Sequence, residues 1–74
     1  LEGRVKTVNS RGFGFITDER DIDFYFHHTV FEDKWKVLLA HFVAGRVVVV
    51  NFEIDKSAND APRAMNVRIK EVMK

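Results

Sequence analysis

The sequence predicts an all-β chain of five antiparallel strands, with a short helix between the third and fourth. Three observations predict it. Aromatic and apolar residues alternate through Phe13–Ile16 and again through Phe24–His27, the two-residue period of a strand. A β-branched run, Val47-Val48-Val49-Val50, follows a glycine. Short polar clusters, Asn9-Ser10 and Asp18-Glu19-Arg20-Asp21, separate the first three apolar runs at hairpin spacing.

Residues 2–8 read as the first strand, where Arg4 and Lys6 alternate with Val5 and share a solvent face. Asn9-Ser10 is a turn, and residues 12–17 form the second strand. The charged cluster 18–21 turns the chain into a third strand over 22–28, which completes a meander. Gly12 and Gly14 allow the backbone to bend or another layer to approach closely. The alternation then stops. Within 32–42, Trp35, Leu38, Leu39 and Phe42 fall at i, i+3, i+4 and i+7, which fits one face of a short helix, with Glu32 and Asp33 at its N-terminal end. Gly45 ends it. The fourth strand spans 46–54, with Val48, Val50, Phe52 and Ile54 on the inward face. Residues 55–60 are a polar connection, and the fifth strand runs from about 63 to 71 behind Pro62, which suits a strand start.

Two alternating aromatics are most often the core face of a strand. Here that reading accounts for only two of the six rings in these stretches. Phe13 and Phe15 share one face of the second strand, with Gly14 and Ile16 on the other; Tyr25 and His27 share one face of the third, with Phe24 and Phe26 on the other. A core of Ile16, Phe24 and Phe26 leaves Phe13, Phe15, Tyr25 and His27 outside. An exposed aromatic cluster of that size marks a binding surface. Rings beside cations, here Lys6 and Arg11, can stack bases and hold phosphates.

Composition narrows the partner. The chain has 74 residues, one domain over 1–74 with a small core, and no cysteine, so neither disulfides nor thiolate metal sites support it. The hydrophobic fraction of 46% fits a folded chain. No apolar run is long enough to span a bilayer and no signal layout opens the sequence, so no membrane partner and a cytoplasmic location are expected. A formal net charge of +1 lacks the broad positive field of a duplex binder and favours single strands, whose bases are free to stack. No nucleophile sits in a recognisable catalytic setting and no phosphate-cradling loop is present, so an enzyme is not expected. His27 and His28 are adjacent, point to opposite faces if both lie in a strand, and have only the distant His41 to join them. No metal site and no cofactor are expected.

Arg11-Gly12-Phe13-Gly14-Phe15-Ile16 and Phe24-Tyr25-Phe26-His27 resemble the two ribonucleoprotein-type motifs of the cold-shock domain. The opening Leu1-Glu2-Gly3-Arg4-Val5-Lys6 with Asn9 is similar to that family's first strand, and Ala61-Pro62-Arg63-Ala64-Met65-Asn66-Val67 to its last. The likeness is close over 1–28, slight over 29–60 and intermediate over 61–68. It implies a closed five-stranded OB-fold barrel. It also implies a single-stranded RNA- or DNA-binding function, as an RNA chaperone or regulator of gene expression in the cold-shock response. By the resemblance, Phe13, Phe15, Tyr25, His27 and His28 stack bases and Lys6 and Arg11 meet phosphates. Trp35 either caps the binding face from the loop or anchors the helix to the core. Arg4, Arg46 and Arg68 are read as solvated.

The departures matter. Thr7 and Val8 stand where the family has Trp and Phe, and Asp60-Ala61-Pro62 replaces a basic residue and glycine before the proline. A lost stacking platform at about 1–3 kcal/mol and an acidic loop imply weaker binding than is usual in the family. They also keep a rival reading open, in which the small β-barrel is a protein-interaction module or a dimer formed by edge pairing or strand exchange through Val47–Val50. Salt dependence separates the two, because phosphate contacts weaken with salt.

Overall fold

The computed structural model describes residues 1–57 and 62–73. Five strands, β1 (Glu2–Val8), β2 (Phe13–Asp18), β3 (Asp23–His27), β4 (Val47–Ile54) and β5 (Ala64–Met73), form one antiparallel sheet in the order β3-β2-β1-β4-β5. A helix, α1 (Trp35–Val43), lies between β3 and β4, preceded by a single 3-10 turn at His28–Val30. The expected strands are all present. Among the described residues the ladder does not run continuously around into a barrel: isolated parallel bridges link Tyr25 of β3 with Arg63, just before β5, and Phe31, beyond the 3-10 turn, with Val67 of β5. Hydrogen bonds from Tyr25 N to Pro62 O (3.0 Å) and from Glu32 N to Val67 O (2.7 Å) accompany them.

The partition of rings follows the strand period. Ile16, Phe24 and Phe26 are buried, and with Val8, Phe31, Leu38, Val48, Val50, Phe52, Ala64 and Val67 they make one core cluster. Phe13, Phe15, Tyr25 and His27 stay half-buried on the opposite face. Gly14 lets β2 lie close against the end of β1. A Cβ there would lie 2.4 Å from the Thr7 carbonyl oxygen and 2.6 Å from Val8 Cγ1, closer than atoms pack.

Several expectations are corrected. The helix starts at Trp35, not at 32, with no acidic residue in its first turn. Glu32 and Asp33 are used elsewhere: Glu32 Oε1 accepts from the Arg68 guanidinium (2.8 Å), and Asp33 Oδ2 accepts from Ile69 N (2.9 Å). They tie the loop to β5, and Arg68 is therefore ion-paired rather than merely solvated. Arg46 likewise donates to His41 Nδ1 at 3.1 Å. The helical face itself is as expected, with Leu38 buried and Trp35, Leu39 and Phe42 packed on the core. Ile54, the last residue of β4, is 39% exposed although it shares its strand face with buried Phe52; nearby, the β4–β5 register shifts between Asn51 and Glu53, where Asn66 on β5 takes φ 50°. β4 is not an edge strand: it lies between β1 and β5, with Val49 and Val50 paired to both and Val47 and Val48 paired to β5, so the sheet's edges are β3 and β5.

The charged cluster 18–21 is more ordered than its composition implied. Asp18 is 5% exposed, and its Oδ1 accepts from the N–H groups of Arg20 (2.9 Å) and Ile22 (3.0 Å). Its Oδ2 takes both Nε (3.1 Å) and a terminal nitrogen (2.9 Å) of the Arg20 guanidinium. Burial pushes the Asp18 carboxyl up. The Ile22 N–H, the Arg20 guanidinium and the Arg20 N–H outweigh it and hold the group below the usual carboxylate range. This fixes the β2–β3 turn, where Asp21 takes φ 63°. Among the described residues, no helix is long and apolar enough to cross a membrane.

Candidate functional site

Two adjacent strands assemble the aromatic face. Register pairs Phe13 with His27 and Phe15 with Tyr25, so four of the expected residues form a compact block. Tyr25 is its hub. Its ring stacks with Phe13 at 6.0 Å between centroids (29°) and meets Phe15 edge-on at 5.9 Å (74°). The rings hold one another upright in half-exposed positions, a surface on which a flat ligand can lie.

His28 comes to the block by a route the sequence did not disclose. β3 ends at His27 and the chain enters the 3-10 turn, so the two histidines do not point to opposite faces. Their rings lie 4.3 Å apart. His27 Nδ1 accepts from Thr29 N (3.3 Å) and lies 3.0 Å from Thr29 Oγ1. Gly12 makes room for His28. Its φ is +97°, a Cβ would lie 2.5 Å from His28 Cδ2, and its carbonyl accepts from His28 N at 2.7 Å. Among the described residues, no group of three or more His, Cys, Asp or Glu is placed to hold a metal ion.

Trp35 sits at the margin of the block. Its Nε1–H donates to the Asn9 carbonyl (2.9 Å), and its ring packs on Phe26 (5.5 Å) and Phe31 (5.7 Å), with His28 edge-on at 6.4 Å. These contacts anchor α1 to the core. The ring remains half-buried, so its contact with His28 extends the aromatic surface.

The cations differ. Lys6 Nζ is held by Asp23 Oδ2 at 2.8 Å, while Asp23 Oδ1 accepts from the Thr17 hydroxyl at 2.7 Å. Lys6 and then Thr17 hold the Asp23 carboxyl below its ordinary range. Lys6 therefore lies beside the aromatic face with its charge already answered by an exposed, screened pair. Arg11 is exposed on the tight Asn9–Gly12 turn, where Asn9 Oδ1 accepts its backbone N–H at 3.0 Å, and its guanidinium has no ion pair among the described residues.

Arg63 was not among the expected residues. Its guanidinium carbon lies 5.5 Å from the centre of the Tyr25 ring, a cation–π arrangement at the β3–β5 bridge. Only Pro62-Arg63 at a strand start hinted at it, since nothing local shows that this position meets β3. The expected repulsion from Asp60, with the neighbouring Ala61, falls outside the described residues. No protein-family model matches the chain, and no curated protein matches it.

Proposed function

We propose that this domain binds single-stranded RNA or DNA by stacking bases on Phe13, Phe15, Tyr25, His27 and His28, with Arg11, Arg63 and Lys6 meeting phosphates. The observation that carries the reading is the aromatic block itself. Rings that could have been buried are held upright and half-exposed on one face, with cations around it. Every base has a π-face, so such a surface accepts many sequences, and unstacked bases are available only in single strands. Holding single strands apart opposes hairpins, which is RNA-chaperone chemistry. The domain is a binding module, not a catalyst, and its setting is cytoplasmic regulation of gene expression of the cold-shock kind.

The accompanying fold is an OB-type barrel sealed between β3 and β5. The two bridges and the Tyr25 and Glu32 hydrogen bonds support this closure. Slow hydrogen exchange at the Tyr25 and Glu32 amides is expected; exchange as fast as in an open edge strand would refute it.

The test of function is anisotropy of a labelled oligothymidine at low and moderate salt. Binding should be saturable and weaken with salt at a slope set by a few phosphates. Phe13→Ala and Phe15→Ala should each lower affinity. A trace that stays flat, or affinity insensitive to both substitutions, would refute the stacking reading and favour a protein partner or a second copy.

A further inference from the structure

We propose that the recess beside Tyr25 is a base-reading pocket selective for guanine. The inference rests on the single-strand reading above and adds a specificity to it. The recess, about 290 Å³, has the polar groups of Tyr25, His27, Thr29, Asp55 and Arg63 in its lining beside apolar side chains. Tyr25 and His27 belong both to the recess and to the aromatic block, so a base stacked on the block would lie next to it.

Its polar groups are fixed by the fold. The Asp55 backbone N–H donates to the Arg63 carbonyl at 2.8 Å, which sets the two residues side by side. Asp55 Oδ1 accepts from the Ser57 hydroxyl (2.6 Å) and the Ser57 N–H (3.0 Å). The hydroxyl and then the N–H, against a smaller effect of burial and with Arg63 helping, hold the carboxyl below its ordinary range. The group is thus an ionised acceptor at neutral pH. Its Oδ2 makes no hydrogen bond among the described residues. Arg63 contributes donors from its place near the Tyr25 ring.

The pair of groups chooses the ligand. A phosphate would suit Arg63, Thr29 and His27 but would be repelled by Asp55. A base edge that offers donors to Asp55 and acceptors to Arg63 suits all of them. Guanine offers N1–H and N2–H side by side, with O6 and N7 beyond. Thymine and uracil offer one N–H flanked by carbonyl oxygens that a carboxylate repels. Adenine places a bare acceptor at N1, and cytosine offers a single amino group beside one.

The experiment measures binding of a labelled heptathymidine and of the same oligomer with one central guanine, inosine, adenine or cytosine. A good base-edge contact should make guanine at least about fivefold tighter than the other three natural bases. Inosine, which lacks the 2-amino group, should lose most of that gain in the parent protein, independent of any variant. Asp55→Asn should bring the guanine-to-thymine ratio to about one, and reading the ratio removes the general gain from losing a negative charge. Equal binding of guanine and thymine by the parent, or a guanine preference that survives Asp55→Asn, would overturn the pocket while leaving the stacking reading intact. Absence of binding to every oligomer would overturn both.

Discussion

Tyr25→Ala separates the proposed binding face from the core. Tyr25 and Phe26 are neighbours on β3 with opposite surroundings: Tyr25 is half-exposed amid Phe13, Phe15 and Arg63, and Phe26 is 1% exposed against Phe31 and Trp35. Truncating Phe26 removes a core ring and leaves a cavity, a loss of about 3–5 kcal/mol. Truncating Tyr25 removes two ring pairs at about 0.5–1.5 kcal/mol each, so roughly 1–3 kcal/mol, with little cavity because the ring already faces water on one side. A chain of this length has about 4–11 kcal/mol in all. The Tyr25 variant should stay folded, and the Phe26 variant should approach its limit.

Binding should rank the two in the opposite order. Loss of the hub ring should cost about 1–3 kcal/mol, or roughly 5- to 150-fold in Kd for oligothymidine. Phe26→Ala should bind close to normally in the fraction that remains folded. The assays are urea unfolding at constant slope for stability and anisotropy, at a temperature where both variants are folded, for affinity. If Tyr25→Ala moved the urea midpoint as far as Phe26→Ala, the ring would be a structural element and not a ligand platform. If it kept parental affinity, stacking at Tyr25 would be refuted.

Three further outcomes are expected. Asp23→Asn frees Lys6 from its carboxylate, so oligonucleotide affinity should rise and the salt slope should steepen by about one unit; an unchanged slope would show that Lys6 never meets phosphate. Asp18 is held below the usual carboxylate range in the fold, so its contribution is complete above that range and is lost as pH falls through the lowered value. Asp18→Asn should lower Tm at neutral pH and flatten the acid side of the Tm–pH curve, and an acid limb as steep as the parent's would refute it. Gly12→Ala places a Cβ against His28 at φ +97°, so it should destabilise by about 1–2 kcal/mol from backbone strain alone and shift the His28 ring resonances; wild-type stability would refute the steric account.

The sequence disclosed what depends on neighbours along the chain. The two-residue period separated Ile16, Phe24 and Phe26 from Phe13, Phe15, Tyr25 and His27, because a strand has only two faces and both strands carried rings on both. The Trp35, Leu38, Leu39 and Phe42 face was legible for the same reason. What local pattern could not show was where a period is interrupted. His28 joined His27 because β3 stops one residue short, and Ile54 is exposed because β4 ends there, although it shares its strand face with buried Phe52.

Arg63 escaped the sequence reading for a different reason, and that reason bears on how the site is built. Its place near Tyr25 depends on a bridge between the two edge strands, formed by residues far apart in the chain. The aromatic hub, the Pro62 carbonyl that accepts the Tyr25 N–H, and the Asp55 N–H bonded to the Arg63 carbonyl all lie along this seam. The same few contacts that hold β3 to β5 therefore set the cation and the carboxylate around the exposed ring. A substitution that loosens the seam, such as one at Phe31 or Val67 on the second bridge, should change base selectivity before it changes stacking. The ring pairs belong to the continuous β2–β3 ladder, whereas Asp55 and Arg63 reach the face only across the gap.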